Sequence, residues 1–82
     1  MENTQPRVVM YTTQTCGYCK MAKEFFKENN ISFEEYDVGM DAQRRQEMFD
    51  KSRQMGVPVI TVGDSVVIGF DKPRLSELLG MS

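Results

Sequence analysis

Two cysteines, Cys16 and Cys19, lie three positions apart in the run TCGYCK, after a β-rich stretch and before a helical pattern. At this spacing on the first turn of a helix the two sulfurs share a face and are close enough to bond. The first sulfur also faces unpaired backbone N–H groups at the positive end of the helix dipole, which lowers the pKa of its thiol. We therefore expect Cys16 to be partly ionised at neutral pH and the pair to carry out thiol–disulfide chemistry.

The two cysteines are expected to have different roles. In thiol–disulfide exchange a thiolate attacks, a mixed disulfide forms, and a second thiol nearby resolves it. Cys16 lies at the exposed helix tip and is predicted to be the nucleophile, whereas Cys19 lies one turn further in, is shielded by neighbours and is predicted to resolve. Lys20 and Lys23 are interpreted as solvated surface lysines.

Two other interpretations of the cysteine pair remain open. A C-x-x-C motif also binds zinc or iron, but a closed site needs four ligands, and this chain has two cysteines and no histidine. Metal binding would then require a second chain or external thiols, so we expect no metal in a single chain. The third interpretation is an interaction module whose cysteine pair is inert.

Length and composition favour one small domain over residues 1–82, with an ordered core at about 7–80 and loose ends at 1–5 and 81–82. A net charge of −2 and 40% hydrophobic residues are typical of a globular domain without the basic excess that nucleic acid requires. We expect a monomer with no nucleic-acid or membrane partner. The first residues lack a basic and apolar leader, which favours a cytoplasmic location.

The elements that must position the cysteines follow the order βαβαββα. Strands are predicted at 8–11, about 33–37, 57–62 and 66–68, and helices at 16 to about 29, 41 to about 52, and 71–80. A strand, helix and strand give a right-handed parallel pair, and the later hairpin around 63–65 can extend the same sheet. The pattern predicts an α/β fold with a mixed four-stranded sheet flanked by three helices, a thioredoxin-type arrangement.

The second helix is the most polar of the three. It is predicted to begin after Asp41 as N-cap and to bury Met48, Phe49 and Ala42. Its charged residues are interpreted as a solvated face: Arg44, Arg45, Glu47 and Lys51.

Three segments together resemble the glutaredoxins and glutaredoxin-like redoxins. They are YTTQTCGYC at 11–19, GVPV at 56–59 and IGFD at 68–71, and the resemblance extends from about 8 to 79. It implies a thioredoxin fold and a dithiol oxidoreductase that reduces protein or low-molecular-weight disulfides. The Cys16–Cys19 pair would be the redox-active group, with no bound cofactor.

The resemblance also implies a substrate-binding surface around the cysteines. The family proline that faces the active site is cis, which assigns that role to Pro58 and leaves the backbone of Val57 free to pair with an extended thiol substrate. Tyr18 corresponds to the tyrosine beside the bound thiol. Gly17 lies between the cysteines, where the family commonly has proline.

The last segment, Gly69-Phe70-Asp71, bears on the electron donor. Asp71 matches an aspartate that holds the α-amino group of glutathione and also suits a helix N-cap, while Gly69 allows close backbone approach. Gly69-Phe70 resembles redoxins that take electrons from thioredoxin reductase and reduce ribonucleotide reductase. Thr13 and Lys72 replace a lysine and an acidic residue of glutathione-using members, so glutathione and thioredoxin reductase are both candidate donors.

A binding function is the alternative that the resemblance adds. Some glutaredoxins with a glycine after the first cysteine form dimers around an iron–sulfur cluster. In this chain Cys16 of each copy and two external thiols, such as those of glutathione, would be the ligands.

Overall fold

The computed structural model describes residues 6–80, and the predicted loose ends lie outside them. Seven elements follow in the predicted order. They are β1 (Val8–Thr12), α1 (Gly17–Glu28), β2 (Glu34–Asp37), α2 (Ala42–Ser52), β3 (Val59–Val62), β4 (Ser65–Ile68) and α3 (Lys72–Leu78). No helix in this part of the chain has the length and apolar character needed to cross a membrane.

The four strands form one mixed sheet in the order β2-β1-β3-β4. β1 pairs with β2 in parallel and with β3 antiparallel, and β3 pairs antiparallel with β4. The crossover helix α1 permits the parallel pair, and a tight turn permits the hairpin. The thioredoxin fold predicted from the sequence is thereby confirmed.

β1 is buried along its whole length because helices cover both faces of the sheet. Alternate residues of a strand point to opposite faces, so Val8 and Met10 join one core while Val9 and Tyr11 join another. The larger core packs against α1 and α3 and includes Ala22, Phe25, Phe26, Ile60, Val62, Val67 and Leu75. The smaller core packs against α2 and includes Val38, Met48 and Val59.

The face that α2 turns toward the sheet differs from the predicted one. Met48 is fully buried as predicted, but Phe49 is 37% exposed and Ala42 is exposed. Arg44 and Glu47, interpreted above as solvated, are instead half-buried and contact side chains of the sheet. The prediction for Phe49 and Ala42 was therefore wrong, because polar contacts with the sheet set the rotation of α2.

Several strand boundaries also differ from the prediction, and β4 begins at Ser65, one residue earlier than predicted. β3 begins at Val59 rather than at 57, because Pro58 has no N–H to continue the ladder. The β3–β4 connection is a two-residue turn, with Val62 opposite Ser65 and Gly63 at a φ of 59°. Positive φ is required at this position of a tight hairpin turn, and glycine adopts it without penalty.

Candidate active site

Cys16 and Cys19 lie at the N-terminus of α1 and are joined by a disulfide, with their Cα atoms 5.2 Å apart. Cys16 is the N-cap residue, and its Sγ accepts a hydrogen bond of 3.1 Å from the backbone N–H of Cys19. Cys16 is partly exposed, whereas Cys19 is only 1% exposed. One sulfur of the pair is thus accessible from solvent, and the other is covered by the protein.

Local backbone bonds hold this helix start in place. The N–H of Cys16 donates to the carbonyl oxygen of Thr13 at 3.4 Å, which closes the turn between β1 and α1. The carbonyl oxygen of Cys16 accepts from the N–H of Lys20 at 3.3 Å and begins the helical ladder. The first turn carries no acidic residue, so no neighbouring carboxylate there opposes negative charge on the Cys16 sulfur.

The loop before β3 lies at the same end of the sheet as the cysteines. Tyr11 pairs with Val59 and Val59 pairs with Ile68, so the segments that follow β1, precede β3 and follow β4 emerge together. The Val57–Pro58 peptide bond is cis. Within residues 6–80 neither the N–H nor the C=O of Val57 has a hydrogen-bond partner, which leaves both available to an extended ligand.

Gly69 lies in the IGFD segment at 68–71 and contacts the loop before β3. Its N–H donates to the carbonyl oxygen of Pro58 at 2.8 Å, and its φ is 83°. A residue with a side chain rarely adopts this φ, so glycine permits the close approach of the two segments. The structure therefore brings the predicted residues Pro58 and Gly69 into direct contact.

Two aromatic residues flank these segments. Tyr18 projects from the first turn of α1 and is 64% exposed. Phe70 is half-buried, and its ring packs edge-on against Phe25 with 5.8 Å between ring centroids. Phe70 thus anchors the segment before α3 to α1, a structural role that sequence reasoning missed.

Asp71 caps α3. Its Oδ1 accepts a hydrogen bond of 3.2 Å from the backbone N–H of Arg74, and the residue is exposed. The predicted N-cap role is confirmed. The cap uses one oxygen of the carboxylate. The other oxygen, at this exposed helix start, can face an amino group of a ligand.

A second feature beside Cys16 was missed by sequence reasoning. A polar cleft of about 220 Å³ lies between α1 and the carboxyl ends of β1 and β2, and Cys16 forms part of its wall. Lys23, interpreted above as solvated, forms an ion pair of 3.1 Å with Glu35, which also accepts a hydrogen bond of 2.8 Å from the Thr12 hydroxyl. The cleft joins three elements, so no local sequence pattern signals it.

Comparisons with known proteins agree with this geometry. The family model that matches residues 8–67 is described as glutaredoxin. An uncharacterized glutaredoxin-like 8.6 kDa protein in the rubredoxin operon of Clostridium pasteurianum is 39% identical over 72 residues, covering 88% of this chain and 96% of that protein. The glutaredoxin-like protein NrdH of Lactococcus lactis subsp. lactis is 32% identical over 74 residues, covering 87% and 97%.

Solved structures show the same similarity in three dimensions. The crystal structure of the glutaredoxin grx-1 from Archaeoglobus fulgidus has a TM-score of 0.81 and 29% sequence identity, and the match covers 95% of each chain. The fold of this chain and the cysteine pair at the start of its helix α1 are those of a thiol–disulfide oxidoreductase. The chain therefore belongs to the glutaredoxin family.

Proposed function

We propose that this protein is a cytoplasmic dithiol oxidoreductase that reduces protein or low-molecular-weight disulfides, with Cys16 as the nucleophile and Cys19 as the resolving cysteine. The observation that carries the proposal is the asymmetry of the pair: the helix-capping sulfur is partly exposed, and its partner one turn inside is buried. A substrate disulfide can reach only the first sulfur. The second sulfur is positioned to attack the first.

The helix start supports Cys16 as the activated thiol. Free backbone N–H groups and the helix dipole favour the thiolate, and the Cys19 N–H already donates to the Cys16 sulfur. The Cys16 thiolate attacks one sulfur of the substrate disulfide, which releases one thiol and leaves a mixed disulfide. Cys19 then attacks Cys16, which releases the second thiol and forms the Cys16–Cys19 disulfide.

The surrounding segments suit the binding of an extended chain. The unpaired backbone groups of Val57 can form a short strand-like pairing with residues that flank the substrate cysteine. Tyr18 offers exposed apolar surface, and Gly17 leaves the approach to Cys16 open because no atom lies within 4 Å of the Cβ it lacks. The carboxylate of Asp71 adds a negative charge at the start of α3.

The nucleophile assignment is tested by the rate of Cys16 alkylation as a function of pH. The reduced protein should react rapidly at neutral pH, because the helix start lowers the pKa of the Cys16 thiol. Iodoacetamide labelling followed by peptide mass analysis assigns the rate to each cysteine. A Cys16 that titrates like a free thiol, with no fast phase at neutral pH, would contradict the proposal.

Single serine variants test the division of roles. Cys16→Ser should abolish disulfide reduction, and Cys19→Ser should accumulate a mixed disulfide with the substrate because nothing resolves it. Mass spectrometry of the non-reduced protein detects that adduct. Equal activity in the two variants would refute the assignment.

The electron donor is identified by NADPH consumption in two coupled systems. One contains glutathione with its reductase, and the other contains thioredoxin reductase, each with a disulfide substrate in excess. We expect at least one system to sustain turnover that requires Cys16. Turnover in neither system would contradict the proposal of a donor from these two classes.

A further inference from the structure

The polar cleft beside Cys16 has walls of opposite charge. Lys20 and Lys23 from α1 line one side, and Glu35 and Asp37 from β2 line the other. The acidic side lies at the carboxyl end of a parallel strand pair, where ligands commonly bind in α/β folds. A charged group that enters this cleft therefore meets both signs of charge close to the reactive sulfur.

Among the four charged residues of the cleft, one of each sign has no ionic partner within residues 6–80. Lys23 and Glu35 pair with each other, whereas neither Lys20 nor Asp37 forms an ion pair among residues 6–80. One oxygen of Asp37 accepts from the N–H of Gly39 at 2.9 Å, and the other has no such bond within this range. Lys20 lies one helical turn after Cys16.

We propose that this cleft recognises zwitterionic disulfides of the α-amino-acid type, for which cystine is the probe. The α-carboxylate would face the ammonium group of Lys20, and the α-ammonium group would face the carboxylate of Asp37. The inference rests on the proposed function and names one substrate class for it. The volume of about 220 Å³ is below the roughly 300 Å³ at which ordinary ligand pockets begin, which suits one amino acid rather than a longer peptide.

The reaction balances without a further reagent once the protein is reduced. The Cys16 thiolate attacks one sulfur of cystine, the cystine S–S bond breaks, and one cysteine leaves and takes up a proton from water. Cys19 gives up its proton and attacks Cys16, so the second cysteine leaves and the protein disulfide forms. Two electrons pass from the protein dithiol to cystine, which becomes two cysteines.

Four small disulfides with different charges test the inference. They are cystine, cystamine with ammonium groups only, dithiodipropionate with carboxylates only, and neutral hydroxyethyl disulfide. Single-turnover rates are measured with the full chain reduced beforehand and freed of reductant. Each rate is divided by the rate of the same disulfide with dithiothreitol, which corrects for intrinsic reactivity, and cystine should then be the fastest.

Two variants should separate the two charges. Lys20→Gln should slow cystine and dithiodipropionate about twofold to fivefold relative to hydroxyethyl disulfide, and should not slow cystamine. Asp37→Asn should slow cystine and cystamine to a similar extent and spare dithiodipropionate. The asparagine oxygen can still accept from Gly39, so the turn after β2 is kept.

Matched controls make the same charge changes away from the cleft. Lys27→Gln lies in the last turn of α1, and Asp64→Asn lies in the β3–β4 turn at the opposite end of the sheet. Neither should alter the order of the four disulfides. Equal normalised rates for all four, or equal losses in the control variants, would overturn the inference and leave the proposed function intact. Failure to reduce all four would overturn the inference, and failure to reduce a protein disulfide as well would overturn the proposed function.

Discussion

Gly17 occupies a position that proline could fill. It is the first residue of α1, where the N–H has no acceptor within the helix, and no atom lies within 4 Å of its missing Cβ. The preceding residue, Cys16, has φ −85° and ψ 112°, which is the extended conformation that a residue before proline requires. The backbone is thus already in the state that proline would impose.

Gly17→Pro should therefore stabilise the protein by about 0.4–1 kcal/mol, because it restricts the unfolded chain without removing a helical bond. Urea unfolding of the wild type and the variant, both in the oxidised state, measures the difference. Gly69→Pro is the matched control and should be destabilising, since proline cannot adopt a φ of 83° or donate to the Pro58 carbonyl. A destabilised Gly17→Pro would contradict this account of the helix start.

The role of a single residue could be predicted from the sequence where its contacts lie within one turn of a helix. The spacing of Cys16 and Cys19 and the cap formed by Asp71 follow from the first turn of a helix, and the structure shows both. The partner of Lys23 could not be predicted, because Glu35 lies on a different element and reaches it only after β1 and β2 pair.

At the scale of elements, α2 is fixed to the sheet by a polar contact. The hydroxyl of the fully buried Tyr11 donates to Glu47 at 2.7 Å, and Arg44 lies over the ring of Tyr36 at 3.9 Å. Burial and the hydrogen bond to Glu47 both raise the pKa of Tyr11 above its ordinary value. The hydrogen bond from Tyr11 is the main cause that lowers the pKa of Glu47.

Tyr11→Phe should destabilise the protein by about 1.5–3 kcal/mol at neutral pH, because it removes a hydrogen bond to a charged acceptor. It should also flatten the alkaline loss of stability. Above pH about 10 an unfolded tyrosine loses its proton while the folded Tyr11 keeps it, so the free energy of unfolding falls as pH rises.

Urea unfolding at neutral pH and at steps up to about pH 11 measures both effects. Tyr18→Phe removes an exposed hydroxyl and controls for the substitution itself. If Tyr11→Phe is as stable as the wild type at neutral pH, the contact with Glu47 does not hold α2 in place.

The rotation of α2 shows why this element was harder to predict than α1. In α1 the apolar residues Met21, Ala22, Phe25 and Phe26 fall at helical spacings, and all of them except Met21, which is 50% exposed, are buried. In α2 only Met48 is buried, and the orienting contact joins Glu47 to a tyrosine 36 positions away. A pattern that considers only apolar residues cannot include such a contact.

At the scale of the molecule, the sheet separates two hydrophobic cores. The candidate active site lies at only one of its two ends. Val67 belongs to the core under α1 and α3, and Val9 belongs to the core under α2. The cysteines and the cis-proline loop lie at one end of the sheet, and the β3–β4 turn lies at the other. Packing and chemistry therefore occupy different parts of a small domain.

Val9→Ala and Val67→Ala should each cost about 2 kcal/mol, from two lost methyl groups and the cavity left behind. Because the two side chains lie on opposite faces and share no core, the double variant should lose the sum to within about 0.5 kcal/mol. Denaturant unfolding of the four proteins measures the coupling. A coupling well above that value would show that the two cores act as one.

The hydrogen bond from the Cys19 amide to the Cys16 sulfur provides an intrinsic reporter of the chemical state of that sulfur. An amide proton is deshielded more strongly as its acceptor gains charge, so its NMR frequency should follow the sulfur through ionisation, mixed-disulfide formation and ring closure. The catalytic cycle could then be followed by a single resonance, in a protein with no tryptophan to provide a fluorescence signal.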